Sequence, residues 1–312
     1  MALIKPIKIG RTVLPGNLFL APLAGFTDIA FRRLCRDFGA GLTTTEMVSV
    51  RGLIYGSEKT KTLLRLADNE TPSAVQLFGN EPKDFSRALS KAELRGFDLI
   101  DINMGCPMPK ITKNGDGSAL LAKPGLAAAI VEACVNAGRT VTVKVRLGIE
   151  EKSGALDFCR RLESAGAALI TLHGRTAKQM YTGVADWEAI GNIAAKLKIP
   201  VIGNGDVVSR ADAENKLKTY PAAGLMIGRG ALGRPGIFAA DGTHPPSLKQ
   251  TILKHIAYSL EYFPADYTVK TLRKHFVWYL KGIPDIKELK TQINRITDAK
   301  TLIAAIESAP IK

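Results

Sequence analysis

The sequence predicts an α/β fold, a (β/α)8 TIM barrel with a C-terminal all-helical domain. Three observations predict it. Eight short apolar segments alternate with amphipathic ones, the alternation stops near residue 242, and nearly every apolar segment ends in polar residues. The apolar segments cover residues 18–24, 42–48, 73–78, 99–104, 141–147, 168–173, 200–204 and 224–227. Their near-continuous hydrophobicity suits parallel strands covered by helices. Helical periodicity fills intervals such as 28–38, 84–95, 126–137 and 155–165, and Gly39, Gly96, Gly138 and Gly166 stand where a left-handed residue ends a helix. An open, doubly wound sheet would share this periodicity. The polar strand ends favour the barrel, whose sites lie at the carboxyl ends of the strands. They are Thr27 and Asp28, Glu46, Gln76, Asn103 with Cys106, Lys144 with Arg146, His173 with Arg175, Asn204 with Asp206, and Arg229.

The expected division is 1–242 for the barrel and 243–312 for the helical domain, with Asp241-Gly-Thr-His-Pro-Pro246 as a linker. Helices are expected over 248–262, 268–280, 286–296 and 301–306. In the second, Val269, Leu272, Phe276 and Leu280 form one apolar stripe, and Lys270, Lys274 and Lys281 share a flank near Trp278 and Tyr279. That flank is either a solvated helical face or a nucleic-acid surface. The net charge of +14 makes polyanions natural partners. The four cysteines lack paired spacing, which points to a reducing compartment and away from bound zinc. The start, Met1-Ala-Leu-Ile-Lys-Pro6, lacks a signal-peptide pattern, and no apolar run reaches the ~18 residues that span a bilayer. A cytoplasmic protein with no membrane and no metal partner is expected, with only a slight preference for a monomer.

Two glycine-rich turns, Gly203-Asn-Gly-Asp206 and Gly228-Arg-Gly230, follow the last two strands, where barrels often bind a phosphate. Gly228-Arg-Gly-Ala-Leu-Gly233 also fits a dinucleotide fingerprint, but no further βαβ unit follows it. Cys35, Cys134 and Cys159 fall within helical patterns as small core residues. Cys106 ends a strand before Pro107, where a thiol can act as a general acid or a nucleophile or simply occupy a turn. Lys144 and Arg146 alternate within an apolar strand and need anionic or carbonyl partners unless that strand has reached solvent.

These residues fall in motifs that resemble the tRNA-dihydrouridine synthases. The motifs are Ala21-Pro-Leu-Ala-Gly-Phe-Thr-Asp28, Val75-Gln-Leu-Phe-Gly79, Asp101-Ile-Asn-Met-Gly-Cys-Pro107, Lys113-Asn-Gly-Asp-Gly-Ser-Ala-Leu-Leu121, Val143-Lys-Val-Arg146, Leu172-His-Gly-Arg-Thr176, Gly203-Asn-Gly-Asp206 and Ile227-Gly-Arg229. The tail segment Arg273-Lys-His-Phe-Val-Trp-Tyr-Leu-Lys-Gly282 is similar to the family's bacterial B-type branch. The resemblance implies an FMN cofactor, reduced by NADPH, and reduction of the C5–C6 bond of a D-loop uridine in tRNA. It implies that Pro22, Leu23, Ala24 and Gln76 lie against the flavin, with Lys144 and His173 nearby. Asn204, Gly205, Asp206, Gly228 and Arg229 would enclose its phosphate. Cys106 would donate the proton to C5, opposite a hydride arriving at C6. Asn103 and Arg175 would hold the base, Lys110 and Lys113 would lie on a closing loop, and Lys270, Lys274 and Lys281 would grip the RNA backbone. The target base must leave its stack to be reached. Leu23, where methionine is frequent, and Asp116, where small residues are common, depart from the family pattern. The competing expectation is a small-molecule pyrimidine flavin oxidoreductase of the dihydroorotate or dihydropyrimidine type, against which the basic tail weighs.

Overall fold

The computed structural model describes residues 3–240 and 242–311; Met1, Ala2 and the first linker residue, Asp241, lie outside the described residues. An antiparallel hairpin, β1 (Ile7–Ile9) and β2 (Thr12–Leu14), comes first. It is followed by β3 (Leu18–Leu20), β4 (Leu42–Thr44), the short β5 (Val48–Ser49) and β6 (Ser73–Phe78). Then come β7 (Leu99–Met104), β8 (Val141–Arg146), β9 (Leu169–His173), β10 (Val201–Asn204) and β11 (Gly224–Ile227). Parallel pairing runs from β3 through β4 and β6 to β11, and β11 pairs back onto β3, so the sheet closes on itself as a TIM barrel.

Two expected strands are interrupted. The segment from Leu18 stops at Leu20, since Pro22 has no N–H for a ladder and Thr27 Oγ1 instead accepts from Leu23 N at 2.9 Å, turning the chain. The segment from Leu42 breaks after Thr44, where the Thr45 hydroxyl takes the hydrogen bond of Gln76 N at 3.1 Å. The opening hairpin was not expected, because strands of three residues broken by Gly10 carry almost no periodicity.

Strand alternation divides the inside from the outside. Phe19, Leu42, Ala74, Leu99, Leu169, Ile202 and Met226 pack together with Ile9 and Leu14 of the hairpin, so the amino end of the barrel is plugged by apolar side chains. Their neighbours Leu18, Val75, Ile100, Val143, Ile170, Val201 and Leu225 face outward into the larger core beneath the helices.

Those helices are α1 (Ile29–Asp37), α2 (Val50–Ile54), α3 (Glu58–Thr62), α4 (Pro82–Leu89), α5 (Pro109–Thr112), α6 (Pro124–Asn136), α7 (Ala155–Ser164), α8 (Trp187–Ala194) and α9 (Arg210–Thr219). Gly39, Gly138 and Gly166 are left-handed as expected, at φ of 97°, 76° and 96°. Gly96 is not, because α4 stops at Leu89 and a 3-10 turn, Ala92–Leu94, intervenes. After β11 the chain makes only 3-10 turns, Arg229–Ala231 and Pro235–Phe238.

The tail forms α10 (Leu248–Tyr262), α11 (Ala265–Tyr279), α12 (Lys287–Arg295) and α13 (Ala299–Ser308). Ile252, Val269, Leu272, Phe276, Leu280, Ile293 and Leu302 share a second core. Helix α10 also lies along α1: Arg33 stacks 4.0 Å from the Tyr258 ring centroid and pairs with Glu261 at 2.6 Å, and Lys254 pairs with Asp37 at 2.6 Å. No helix among the described residues is long and apolar enough to cross a membrane.

One buried ion pair ties α1 to the barrel wall. Arg32 donates to Glu70 at 2.6 and 3.1 Å, and Glu70 also accepts from Thr43 Oγ1 at 2.8 Å and Ala67 N at 3.0 Å. Such a carboxylate is saturated, and removing it strands a buried guanidinium. Glu70→Ala is expected to lower the unfolding free energy by about 3–5 kcal/mol in urea titration; a loss below about 1 kcal/mol would show that water enters and rescues Arg32.

Candidate active site

The inward positions that are apolar at the amino end become polar toward the carboxyl end. On β7 the sequence Leu99, Asp101, Asn103 climbs one face, and Thr142, Lys144, Arg146 do so on β8. They open into a cavity of about 710 Å³ at the barrel mouth. Its wall includes Pro22, Leu23, Ala24, Gln76, Asn103, Cys106, Lys144, His173, Asn204, Gly205, Asp206, Gly228, Arg229 and Lys281, all expected from the sequence.

The floor is a hydrogen-bonded relay. Thr142 Oγ1 donates to Asp101 Oδ1 at 2.6 Å, and Gln76 Nε2 donates to Asp101 Oδ2 at 2.7 Å. Asn103 Nδ2 then donates to Gln76 Oε1 at 2.8 Å. The carbonyl of Asn103 accepts from Gly105 N at 3.2 Å and Cys106 N at 2.9 Å, so the amide folds the chain into the turn that presents Cys106. Burial raises the Asp101 carboxyl above its usual range, and the two hydrogen bonds oppose that rise. The loop beyond Cys106 folds back, and Ser118 N donates to Cys106 O at 3.0 Å. Asp116 at its base is buried and does not project from it.

Cations crowd the opposite side. Lys144 Nζ donates to Asn204 Oδ1 at 3.0 Å, and Asn204 Nδ2 donates to Met226 O at 2.7 Å. Burial first, and then Arg146, lower the Lys144 ammonium to about 8. His173 is held neutral by burial and by Lys144, Arg146, Arg175 and Arg229 around it. Arg146 donates to Gly105 O, Thr176 O and Met180 O, each at 2.8 Å, and so laces the cysteine turn to the loop after β9.

Arg175 does not reach the cavity. Its guanidinium donates to Asp206 at 2.9 and 2.7 Å, to Thr182 O at 3.0 Å and to Gly183 O at 2.6 Å. It is buried and fully partnered, so it braces Asp206 and has no donor to spare for a base. Arg229 also touches Asp206, at 3.3 Å. These contacts hold Asp206 below the usual carboxylate range against the opposing effect of burial. At Gly205, φ is +128° and a Cβ would come within 2.6 Å of Ala185 Cβ, so only glycine fits this turn.

Lys110 and Lys113 are exposed on and just after α5, outside the cavity wall, as is Lys270, which sits 3.6 Å from Asp266. Lys274 is half-buried against the barrel. Sequence reasoning assigned no role to Met47, Tyr181 or Arg234, and placed Trp278 only beside the lysine flank of the tail; all four also line the cavity. Tyr181 sits under Arg229, 4.9 Å from its ring centroid, in a loop without periodicity. Asp101 was quoted in a motif but given no role, although its place on the same strand face as Asn103 was a signal for one.

The comparisons follow this geometry. The family model described as dihydrouridine synthase (Dus) matches residues 19–311. A probable tRNA-dihydrouridine synthase of Rickettsia bellii (strain RML369-C) is 38% identical over 306 residues, covering 94% of each chain. The tRNA-dihydrouridine synthase B of Pseudomonas aeruginosa is 35% identical over 313 residues, covering 96% of this chain and 94% of its own. Among solved structures, the histamine dehydrogenase of Rhizobium sp. 4-9 superposes with a TM-score of 0.60 at 15% identity, over 82% of this chain and 51% of that one. This chain thus spans about half of that larger protein, and the likeness concerns the barrel fold. The match along nearly the whole length, by family model and by relatives, places the chain in the dihydrouridine synthase family.

Proposed function

We propose that the protein reduces the C5–C6 bond of a D-loop uridine in tRNA, with FMN as bound cofactor and NADPH as reductant. One observation carries this reading: the Cys106 turn, the Lys144 ammonium and the glycine loops of Gly205 and Gly228 share a single chamber. FMN fits the donor set. Lys144, Arg146 and Arg229 line the cavity, while its wall carboxylate Asp206 is already paired with Arg175, so the site has positive charge for a phosphate and an electron-rich ring. Asn204, Gly205, Asp206, Gly228 and Arg229 would hold the phosphate, with Pro22, Leu23, Ala24 and Gln76 beside the ring. When bound, the flavin supplies a hydride to C6 of the uracil.

The chain's own residues do the rest. Cys106 holds a proton at Sγ for C5, and Asn103 sets the turn that aims it. The Asn103 amide donates to Gln76 Oε1 and faces the weak acceptor Met47 Sδ at 3.8 Å, a contact that the uracil edge would replace. The basic tail suits a polyanion better than a free pyrimidine, and Lys110, Lys113, Lys270 and Lys281 stand exposed for phosphate contacts.

Cys106→Ala is expected to retain FMN and tRNA binding while slowing reduction about 10²–10⁴-fold, the usual weight of a general acid. Native turnover on tRNA would remove the proton-donor role, and turnover of free uracil or dihydroorotate with none on tRNA would favour the small-molecule reading. Lys144 is an ammonium below about pH 8 and neutral above it. FMN affinity is therefore expected to be level below about pH 8 and to decline above it, since the cation facing the flavin is lost as pH rises. Lys144→Met should be weaker and flat in a fluorescence titration; a wild-type affinity that rises with pH would contradict this. Alanine at both Lys270 and Lys281 is expected to reduce the slope of log K for tRNA against log salt by about one to two. An unchanged slope would put the RNA elsewhere.

A further inference from the structure

We propose that Lys274 is a positioning residue of the cavity, through which α11 holds the 22–28 loop in shape. On this reading it is not an RNA phosphate contact.

Helix α11 touches both sides of the cavity. Trp278 of α11 lines it directly, as does Lys281 in the turn just after the helix. Gly233, at φ +71°, lies so close to α11 that a Cβ there would stand 2.5 Å from the backbone carbonyl of Trp278. At the other side, Lys274 Nζ lies 5.5 Å from the Phe26 ring centroid and near Gly25, where a Cβ would come within 3.8 Å of it. His275 meets the same Phe26 edge-on, with centroids 5.4 Å apart. Of the three lysines on this flank, Lys274 alone is turned against the barrel; Lys270 and Lys281 are exposed.

The loop it covers is tied internally between Leu23 and Thr27, with Leu23 N donating to Thr27 Oγ1 at 2.9 Å, and Arg32 donates to Thr27 O at 3.2 Å. Phe26 N and Thr27 N donate to Leu23 O at 2.9 and 3.0 Å, and Gly25 N donates to Glu46 Oε1 at 2.9 Å. Asp28 caps α1 through Phe31 N at 3.0 Å. Burial raises the carboxyls of both Glu46 and Asp28, and the cations opposing this rise are Lys274 and Arg32. Arg32 is already committed to Glu70 through two hydrogen bonds. Lys274, which packs over Phe26 and beside Gly25, is the other cation acting on Glu46, the residue that accepts from Gly25 N. Without it the Gly25 anchor loosens, and Pro22, Leu23 and Ala24 lose their fixed place on the cavity wall.

The test uses the full chain with Lys274→Met, Lys274→Arg and, as a control, Lys270→Met. Amide hydrogen exchange is followed at residues 23–27 and in the barrel strands, with FMN affinity and the salt dependence of tRNA binding as second and third readouts. Lys274→Met is expected to speed exchange at 23–27 by about tenfold with the strands unchanged. It should also weaken FMN several-fold and leave the tRNA salt slope as in the wild type. Lys274→Arg should restore exchange and FMN affinity, and Lys270→Met should leave both unaltered. Unchanged exchange and FMN affinity, with a salt slope lower by about one, would overturn the proposal and make Lys274 an RNA contact. A uniform rise of exchange through the strands would also overturn it. The FMN and tRNA readouts rest on the proposed function: a wild-type protein that binds neither defeats that function, while the exchange result still decides whether Lys274 holds the loop.

Discussion

Closure of a parallel sheet governs everything else in this molecule. Once β11 pairs back onto β3, every strand must end at the same rim, and every second side chain must point to the axis. Inward positions can then change character along the axis without disturbing the outer core, which strands and helices share. The chain uses that freedom once. Phe19, Leu99 and Ile202 fill the lower axis, and Gln76, Asp101, Asn103, Lys144 and His173 stand above them. Polar side chains in that position cost desolvation energy, recovered in the relay from Thr142 to Asp101, Gln76 and Asn103.

The two halves of the rim are satisfied differently. On the side of Asp101 each amide and carboxylate finds an internal partner, which fixes the cysteine turn before any ligand arrives. On the side of Lys144 and Arg229 positive charge exceeds negative charge, and burial with the neighbouring cations keeps His173 neutral and lowers Lys144 while leaving it an ammonium below about pH 8. One half is built to keep its geometry and the other to receive an anion. Arg175 joins the two sides, because its guanidinium, bonded to Asp206 and to the carbonyls of Thr182 and Gly183, holds Asp206 in place on the cavity wall.

Much of this was legible in the residue order, for definite reasons. The expected segments 73–78 and 99–104 match β6 and β7 end to end, because six apolar-rich residues flanked by turns leave little choice. The first strand was overextended through Pro22, where a side-chain hydroxyl rather than a ladder orders the chain. The residues named from the strand-end motifs mostly meet in one cavity, while Tyr181 was not assigned and Trp278 was placed only near the tail lysines, since a loop and a distant helix reach the cavity only through tertiary packing. Arg175 and Lys274 show the harder limit. Residue type says that each carries charge, but only packing says whether that charge faces solvent, a ligand or the protein itself.

The hairpin of β1 and β2 has a consequence for traffic. By corking the lower end with Ile9 and Leu14, it makes the interior a blind alley. A nicotinamide and a nucleoside that both need the deep wall must then arrive and depart through one doorway, and neither can wait inside while the other works. Under the proposed chemistry, the order of visits is imposed by architecture, and electrons must be parked between them.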